Sequence, residues 1–497
     1  MKKWLRRLGK LCAWVVLIPV FLLVEENIRG RILVATYKHY LRAHGERLTL
    51  AELGLANAPP PPDAATVDLL AAAKKLPDWN PNDQEEANFM RPVISGAATL
   101  SWQLPINTRR WGEHAWITNT WPAVVAQLES NAPALSAALD ALRRNPKGVP
   151  YDFRGENYKL GIEPIHQCVK LRYWLTWATA NNLREGKLDD AGEDILAMAQ
   201  LGRSFRSNHP NYYGDFMQRT LNATWELLQS SPTNDAQLAA LQDIWLKGST
   251  LPDYPRSDEE YRAWDLKRIE AQTWRTTNAD AVWEPPRDFG PTKAALWFLG
   301  GRYFDEFAVL VISQDRLHLT RALAQSRRWS SWPGEHRLRV ILWALPWDAV
   351  CSFAYREDWY FSEHMLRAAE YETHREMTVG AIALQRYRLR RGQWPEKLND
   401  LVPELLAELP RDWMNGEPLR YRRTPNDTFT LYSVGEDLRD DGGDLTPVYN
   451  GNMDAHPQPM WTTRDAVWPL VATKETVDAL KKAAAAKKQS PQPQTSW

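Results

Sequence analysis

The chain has 497 residues, of which 44% are hydrophobic and 25% are charged, and its 61 basic side chains balance 61 acidic ones. With this apolar fraction the chain cannot be disordered over its whole length, and it can form a sizeable core. A net charge of zero, without any recognisable nucleic-acid-binding module, argues against a nucleic-acid partner. The 25 tryptophans are many for a globular chain and suit either core packing or stacking on sugar rings.

The first segment has the charge pattern of a signal sequence. Five basic residues lie between Lys2 and Lys10, and Leu11–Val24 contains no charged residue over 14 positions. The nearest small-x-small cleavage pattern, residues 56–58, lies far downstream. We therefore expect an uncleaved signal anchor that crosses the cell inner membrane once through Leu11–Val24, with its N-terminus cytoplasmic and the bulk of the chain periplasmic. The alternative is a buried N-terminal helix of a soluble protein.

The length of the apolar run is marginal for a membrane span. At about 1.5 Å per residue it covers about 21 Å, so flanking residues must help to cross about 30 Å of hydrocarbon. The helix is expected to continue from Glu25 to about His44. Pro59–Pro62 then predicts a polyproline spacer between anchor and body, since proline lacks the N–H that helices and sheets use.

The predicted fold is mainly α. Its five parts are a cytoplasmic basic start and signal-anchor helix (1–44), a Pro-rich linker with an irregular segment (45–110), a helical domain (111–375), a small α+β module (376–450), and an extended segment with a disordered basic tail (451–497). Irregular structure is expected most strongly in residues 76–105, which are rich in Pro, Asn, Asp and Gln.

Between residues 111 and 375 apolar residues recur at three- and four-residue steps, which is typical of amphipathic helices. The predicted helices are Ile165–Trp177 and Asp189–Phe205, which form a hairpin, then Phe216–Leu228, Leu238–Trp245, a helix carrying Tyr261, Trp264 and Ile269, and Asp305–Arg327. The pattern Ser257-Asp258-Glu259-Glu260 predicts a capping box. Because the spacings are unequal, an irregular helical bundle and an α-solenoid-like body both remain open.

From Met377 onward the sequence combines one long helix with short strands. The helix is expected to end at Gly392, and two strands, 419–421 and 428–432, are joined by a polar loop. The stretches ALQRYRLRRGQWPEKLNDLVPELLAELP, NGEPLRYRR and TFTLYSVGEDLRDDGGD carry the motifs. In their order and spacing, residues 377–447 resemble the C-terminal domain of type II secretion major pseudopilins.

The resemblance implies a helix packed on a small antiparallel sheet, followed by an acidic loop that binds calcium. The residues in that loop are Asp437, Asp440, Asp441 and Asp444. Calcium prefers such hard oxygen ligands, although an acidic turn of this kind also occurs as a solvated loop. The leader, the processing site and the early glutamate of pseudopilins are missing before Leu11–Val24, so assembly into a secretion filament is not implied.

The three cysteines do not predict a metal site. Cys12 lies within the apolar run, and no Cys-x-x-Cys spacing occurs, so a structural zinc ion is not expected. Cys168 and Cys351 are compatible with one long-range disulfide in an oxidising compartment or with two buried thiols.

No catalytic motif was found, and we predict no catalytic residue. Glu370 and His374 lie one helical turn apart and suit either a metal site or a solvated salt bridge. Tryptophans that suit glycan stacking are Trp111, Trp116 and Trp121, at five-residue steps, and Trp329 and Trp332, which flank two serines.

The sequence therefore predicts a membrane-anchored, extracytoplasmic protein that acts in protein interaction or in envelope or secretion-related assembly through an unidentified protein partner. The alternative is an envelope glycan-binding protein or hydrolase that uses the Trp-rich helical region.

Overall fold

The computed structural model describes residues 2–55, 61–77, 89–103, 106–109, 116–119, 121–147, 158–204, 210–271, 301–332, 361–448, 459–479 and 482. Within these ranges the fold is mainly helical. The helices are α1 (Lys2–Ala43), α2 (Ala64–Lys75), α3 (Trp121–Arg143), α4 (Tyr158–Arg184), α5 (Leu188–Arg203), α6 (Pro210–Gln229), α7 (Asp235–Leu246), α8 (Tyr254–Ala271), α9 (Arg302–Ser326) and α10 (Phe361–Arg391).

Short strands form three small sheets in the described residues. The strands are β1 (Arg91–Ile94), β2 (Ala97–Thr99), β3 (Ile106–Arg109), β4 (Trp116–Asn119), β5 (Arg420–Thr424), β6 (Thr428–Ser433), β7 (Ala466–Val467) and β8 (Leu470–Val471). The sheet orders are β1-β2-β8, β3-β4 and β5-β6-β7. All pairs are antiparallel except β2 with β8, which is parallel.

One large hydrophobic core contains residues of every helix from α2 through α7, of α10 and of the C-terminal sheets. The indoles of Trp174, Trp177, Trp225 and Trp245 are among its largest fully buried side chains, so core packing is the role of these four tryptophans. The long helix α10 packs against both α6 and α7. The contact between α10 and α6 joins helices that are far apart in sequence, whereas a solenoid places each repeat only against its neighbours.

The predicted helical hairpin is present as α4 and α5, which pack against each other across a short turn, and the next two predicted helices lie within α6 and α7. The capping box at Ser257 is wrong, because α8 begins three residues earlier, at Tyr254. A 3₁₀ turn, Leu251–Asp253, leads directly into α8, and Pro255 suits the first helical turn, where no N–H is needed.

The first helix, α1, runs without interruption into the body. It passes α9 so closely at Gly30 that an added Cβ would lie 2.8 Å from the Cβ of Tyr303. Beyond this crossing Val34 and Leu41 are buried with Leu310 of α9 in a second, smaller core. The continuous helix α1 therefore itself packs on the body; the predicted polyproline spacer falls partly on residues 56–60, which lie outside the described part.

The segment 45–110 is more regular than the sequence suggested. Asp63 caps α2 by accepting a hydrogen bond from Thr66 N at 2.7 Å, and the buried Leu69 and Ala73 place α2 in the main core. The hairpin β1–β2 then pairs with β8. Proline-rich composition concealed these elements, because their partners lie far away in sequence.

The C-terminal α+β region is not separated from the helical body. The expected boundary at residues 375/376 falls inside α10, which is buried on both sides of it. The predicted hairpin is present as β5–β6, and its third strand, β7, comes from the segment expected to be extended. Trp461 and Trp468 of that segment are buried. Residues 480–481 and 483–497 of the expected disordered tail lie outside the described part.

The predictions on cysteine pairing and on the tryptophan set concern residues that lie partly outside the described ranges. Cys168 is a buried free thiol, whereas Cys351 and Trp111 belong to ranges that the structure does not describe.

Removing one buried indole tests whether residues 459–472 belong to the core. The substitution Trp468→Ala should lower the free energy of unfolding by about 3–5 kcal/mol, because it leaves a large cavity. The matched change Leu470→Ala, at a side chain that is 51% exposed, should cost about 0.5 kcal/mol or less. Urea unfolding followed by circular dichroism measures both, and equal midpoints for the two variants would contradict the assignment.

Candidate functional site

A buried carboxylate fixes the end of α1 to α8 and α9. Glu46 lies just beyond α1, and its side chain is 7% exposed. Its Oε2 accepts hydrogen bonds from Nη2 of Arg262 and from Nη2 of Arg321, both at 3.1 Å, and Gln314 Nε2 donates to Oε1 at 3.0 Å. We call Glu46, Arg262, Arg321 and Gln314 the clamp.

The clamp continues into neighbouring ion pairs. Arg321 also donates to Glu259 at 2.8 Å, and Glu259 in turn pairs with Arg47. One helical turn before the end of α1, Lys38 lies 2.5 Å from the nearly buried carboxylate of Glu306 in α9. Charged side chains of α1 and its C-terminal extension are therefore paired with both helices of the smaller core.

The pKa of Glu46 reflects its surroundings. Burial alone would raise it, but hydrogen bonds from Arg321, Gln314 and Arg262 outweigh burial and lower the pKa from 4.5 to about 2. The carboxylate is therefore ionised at neutral pH. Arg262 has a fully buried side chain and needs this counter-charge, since an unpaired buried guanidinium would be costly.

Large apolar side chains between Trp14 and Ile28, before the crossing, are exposed. Trp14, Phe21 and Ile28 are 63%, 70% and 54% exposed, and Leu17, Ile18, Leu22 and Val24 are each more than half exposed as well. A contiguous exposed apolar surface of this kind marks an interaction with a membrane or a protein. Among the described residues, no helix meets the length and hydropathy expected of a membrane span.

The acidic loop lies after β6, where the resemblance places it, and the carboxylates of Asp437, Asp440 and Asp444 have protein donors. Asp440 Oδ1 accepts a hydrogen bond from the Tyr432 hydroxyl at 3.2 Å, and Asp440 Oδ2 lies 3.3 Å from Arg420 Nε. Asp444 accepts from Thr446 and lies 3.6 Å from Arg464. The Asp437 carboxylate accepts from the backbone of residue 439.

A buried carboxylate outside the predicted set organises this loop. Asp465 is 0% exposed and accepts backbone N–H groups of Asp441, Gly443 and Asp444 at 3.4, 2.8 and 2.8 Å. Nowhere in the described ranges do three or more His, Cys, Asp or Glu side chains form a group that could hold a metal ion. Calcium binding by the four loop residues therefore stays a prediction of the resemblance.

Polar side chains are buried between α6 and α10. Glu370 and His374 are 2% and 0% exposed, so they do not form the solvated salt bridge considered from their spacing. His374 Nδ1 lies 2.5 Å from Gln218 Nε2, and its ring meets Trp468 edge-on at 6.1 Å. Burial lowers the pKa of His374 to about 3, which keeps the imidazole neutral at physiological pH.

A second buried group ties α10 to the connection between α7 and α8. Arg375 Nε donates to Glu372 Oε2 at 2.9 Å, and Arg375 Nη1 donates to the Trp245 carbonyl at 2.9 Å. The other oxygen of Glu372 accepts from the Thr250 hydroxyl at 2.9 Å. These contacts fix the centre of the bundle, because buried polar groups are costly unless they are all paired.

Glu226 of α6 is also buried in the main core. Its oxygens accept the Ser101 hydroxyl at 2.7 Å and the Ser101 backbone N–H at 2.8 Å. Burial raises its pKa to about 8, since these two hydrogen bonds compensate only partly. A carboxyl group that stays protonated at pH 7 acts here as a neutral link between α6 and the segment after β2.

The tryptophans proposed for glycan stacking contact other protein rings. Trp329 and Trp332 stack on each other with ring centroids 5.0 Å apart, and Trp332 also packs against Phe361. Trp121 meets Trp177 edge-on at 6.0 Å, and Arg184 lies over its ring at 5.0 Å. These contacts favour packing over sugar binding for the described members of the set.

Sequence reasoning missed the clamp entirely. Glu46 is separated from its three partners by 216 to 275 residues, and the partners lie in polar sequence that also suits a solvated helix face. No local pattern distinguishes a buried Arg262 from an exposed arginine, so the only available signal was the expected helix end near His44.

Acid titration tests the clamp. At neutral pH, Glu46→Gln should lower the free energy of unfolding by about 3 kcal/mol, because Arg262 is left buried without its counter-charge. The native pKa of Glu46 lies below its ordinary value, so its contribution is complete above about pH 4.5 and is lost as the pH falls towards about 2. The gap between the wild-type protein and the variant should therefore narrow over that window in urea unfolding series.

Glu270 provides a matched control, since it pairs with Lys38 but is 59% exposed. Glu270→Gln should change the free energy of unfolding by about 0.5 kcal/mol or less. A Glu46→Gln gap that stays constant between about pH 4.5 and about pH 2 would contradict the clamp.

The chain shows no significant match to any protein-family model, curated protein or solved structure. The comparisons neither support nor oppose the resemblance of residues 377–447 to the pseudopilins. That resemblance rests on the sequence motifs alone.

Proposed function

We propose that this chain is a membrane-anchored protein that presents a helical body next to the inner membrane for protein interaction or envelope assembly. The observation that carries the proposal is α1, whose first half exposes large apolar side chains while its second half is clamped to the body. An exposed apolar helix that continues into a fixed support suits an anchor.

The sequence flanking the apolar residues supports an orientation. Five basic residues precede Leu11–Val24, and this bias favours a cytoplasmic N-terminus with the body on the periplasmic side. The body begins to pack on α1 at Gly30, only six residues after Val24. In this arrangement the body lies directly on the membrane surface.

A fixed position at the membrane suits a scaffold. The clamp and the Lys38–Glu306 pair join α1 to the body. Because no flexible linker separates them, the orientation of the body would be set by the anchor. The C-terminal α+β region shares the main core, so its resemblance to a pseudopilin domain would describe a fold used as a fixed surface.

Alkaline extraction of membranes tests the anchor. The full-length protein should stay in the pellet, because the apolar half of α1 is embedded in lipid. The double substitution Leu17→Glu and Phe21→Glu should release it, since a charge within the hydrocarbon costs about 2.5–3.5 kcal/mol per residue. Immunoblots of pellet and supernatant measure the distribution.

The matched control places two glutamates at exposed apolar positions of the body. Leu246 and Leu470 are 50% and 51% exposed, and Leu246→Glu with Leu470→Glu should leave the protein in the pellet. Finding the wild-type protein in the supernatant would refute the proposed anchor.

A further inference from the structure

Three arginines surround the point where α1 crosses α9. Arg29 and Arg31 flank Gly30 on α1, and Arg302 begins α9. The close approach at Gly30 brings them to the same level as Tyr303 and Phe304. We call these three arginines and two aromatic residues the collar.

Aromatic rings orient the guanidinium groups of the collar. Arg31 lies 5.1 Å from the ring centroid of Tyr303, Arg29 lies 5.5 Å from that of Phe304, and Arg302 lies 6.0 Å from that of Tyr303. A guanidinium that stacks on a ring keeps its N–H edges available for an anion. The aromatic contacts therefore hold three donors in place before any ligand binds.

The acidic neighbours compensate only part of this charge. Arg29 pairs with Glu26 at 3.4 Å and remains 56% exposed, and Arg302 donates to the Glu270 backbone carbonyl at 3.0 Å. Arg31 is exposed, and its guanidinium group lies against the Tyr303 ring.

The collar lies at the height of lipid headgroups if Val24 marks the end of the hydrocarbon. Arg29 and Arg31 follow Val24 by five and seven residues, which is about 8–11 Å along a helix. The headgroup layer of one leaflet is about 5–8 Å thick, so the backbone of these residues lies at its outer edge and the long arginine side chains reach back to the phosphates. Tyrosine and arginine are residues that anchor proteins at this level.

We propose that the collar binds the phosphate of anionic phospholipids in the leaflet next to the body. This inference rests on the proposed anchor. It gives a reason for basic residues on the side of the apolar run where orientation rules disfavour them, because guanidinium groups pair bidentately with phosphate. The bound lipid would fill the angle between α1 and α9 and hold the body at a fixed height.

Native mass spectrometry of the full-length protein in a neutral detergent tests the proposal. Phosphatidylglycerol should bind at least about fivefold more tightly than phosphatidylcholine, since a single basic residue near an anionic headgroup contributes about a fivefold effect. The triple substitution Arg29→Gln, Arg31→Gln and Arg302→Gln should reduce phosphatidylglycerol binding to the level of phosphatidylcholine. Circular dichroism checks that the variant remains folded.

A control variant removes three arginines elsewhere. Arg256→Gln, Arg327→Gln and Arg439→Gln change the net charge equally and should leave the lipid preference intact. The proposal is overturned if the wild-type protein binds both lipids alike, if the two triple variants behave alike, or if sn-glycerol 3-phosphate binds as tightly as the lipid. A protein that stays monodisperse without detergent and binds neither lipid would refute the anchor as well.

Discussion

The buried carboxylate of Glu46 determines how α1 is joined to the helical body. Through Arg262 and Arg321 it fixes the end of α1 to α8 and α9, and the apolar contacts of Val34 and Leu41 extend the same junction. An exposed apolar helix would otherwise be free to swing relative to the bundle. With the clamp formed, the direction of α1 determines the orientation of the body.

The main core extends this rigidity to the C-terminal region. Helix α10 carries the Glu372–Arg375 pair at its centre and contributes to the sheet side of the core near its end. Trp225 Nε1 donates to the Pro469 carbonyl at 2.9 Å, so the last strands are attached to α6 as well. A surface on this α+β region would therefore keep a fixed position relative to α6 and α10.

The helices of the body could be predicted because their apolar spacing and end signals are local, as in α5 with Asp189 and Asp190 in its first turn. The helix α2 and the burial of Trp468 could not be predicted, because both depend on partners far away in sequence. The acidic loop was located correctly, but the role of Asp465 was hidden, because it lies 21 to 24 residues beyond the amides that it binds.

Depth measurements along α1 test the central claim most directly. Nitroxide labels would be placed singly at Trp14, Phe21, Ile28 and Ala35, in a chain without its native cysteines and reconstituted in bilayers. The account predicts that labels at residues 14 and 21 collide with oxygen in the hydrocarbon, that the label at 28 lies at the interface, and that the label at 35 is in water. Equal accessibility of all four labels to a water-soluble relaxation agent would contradict it.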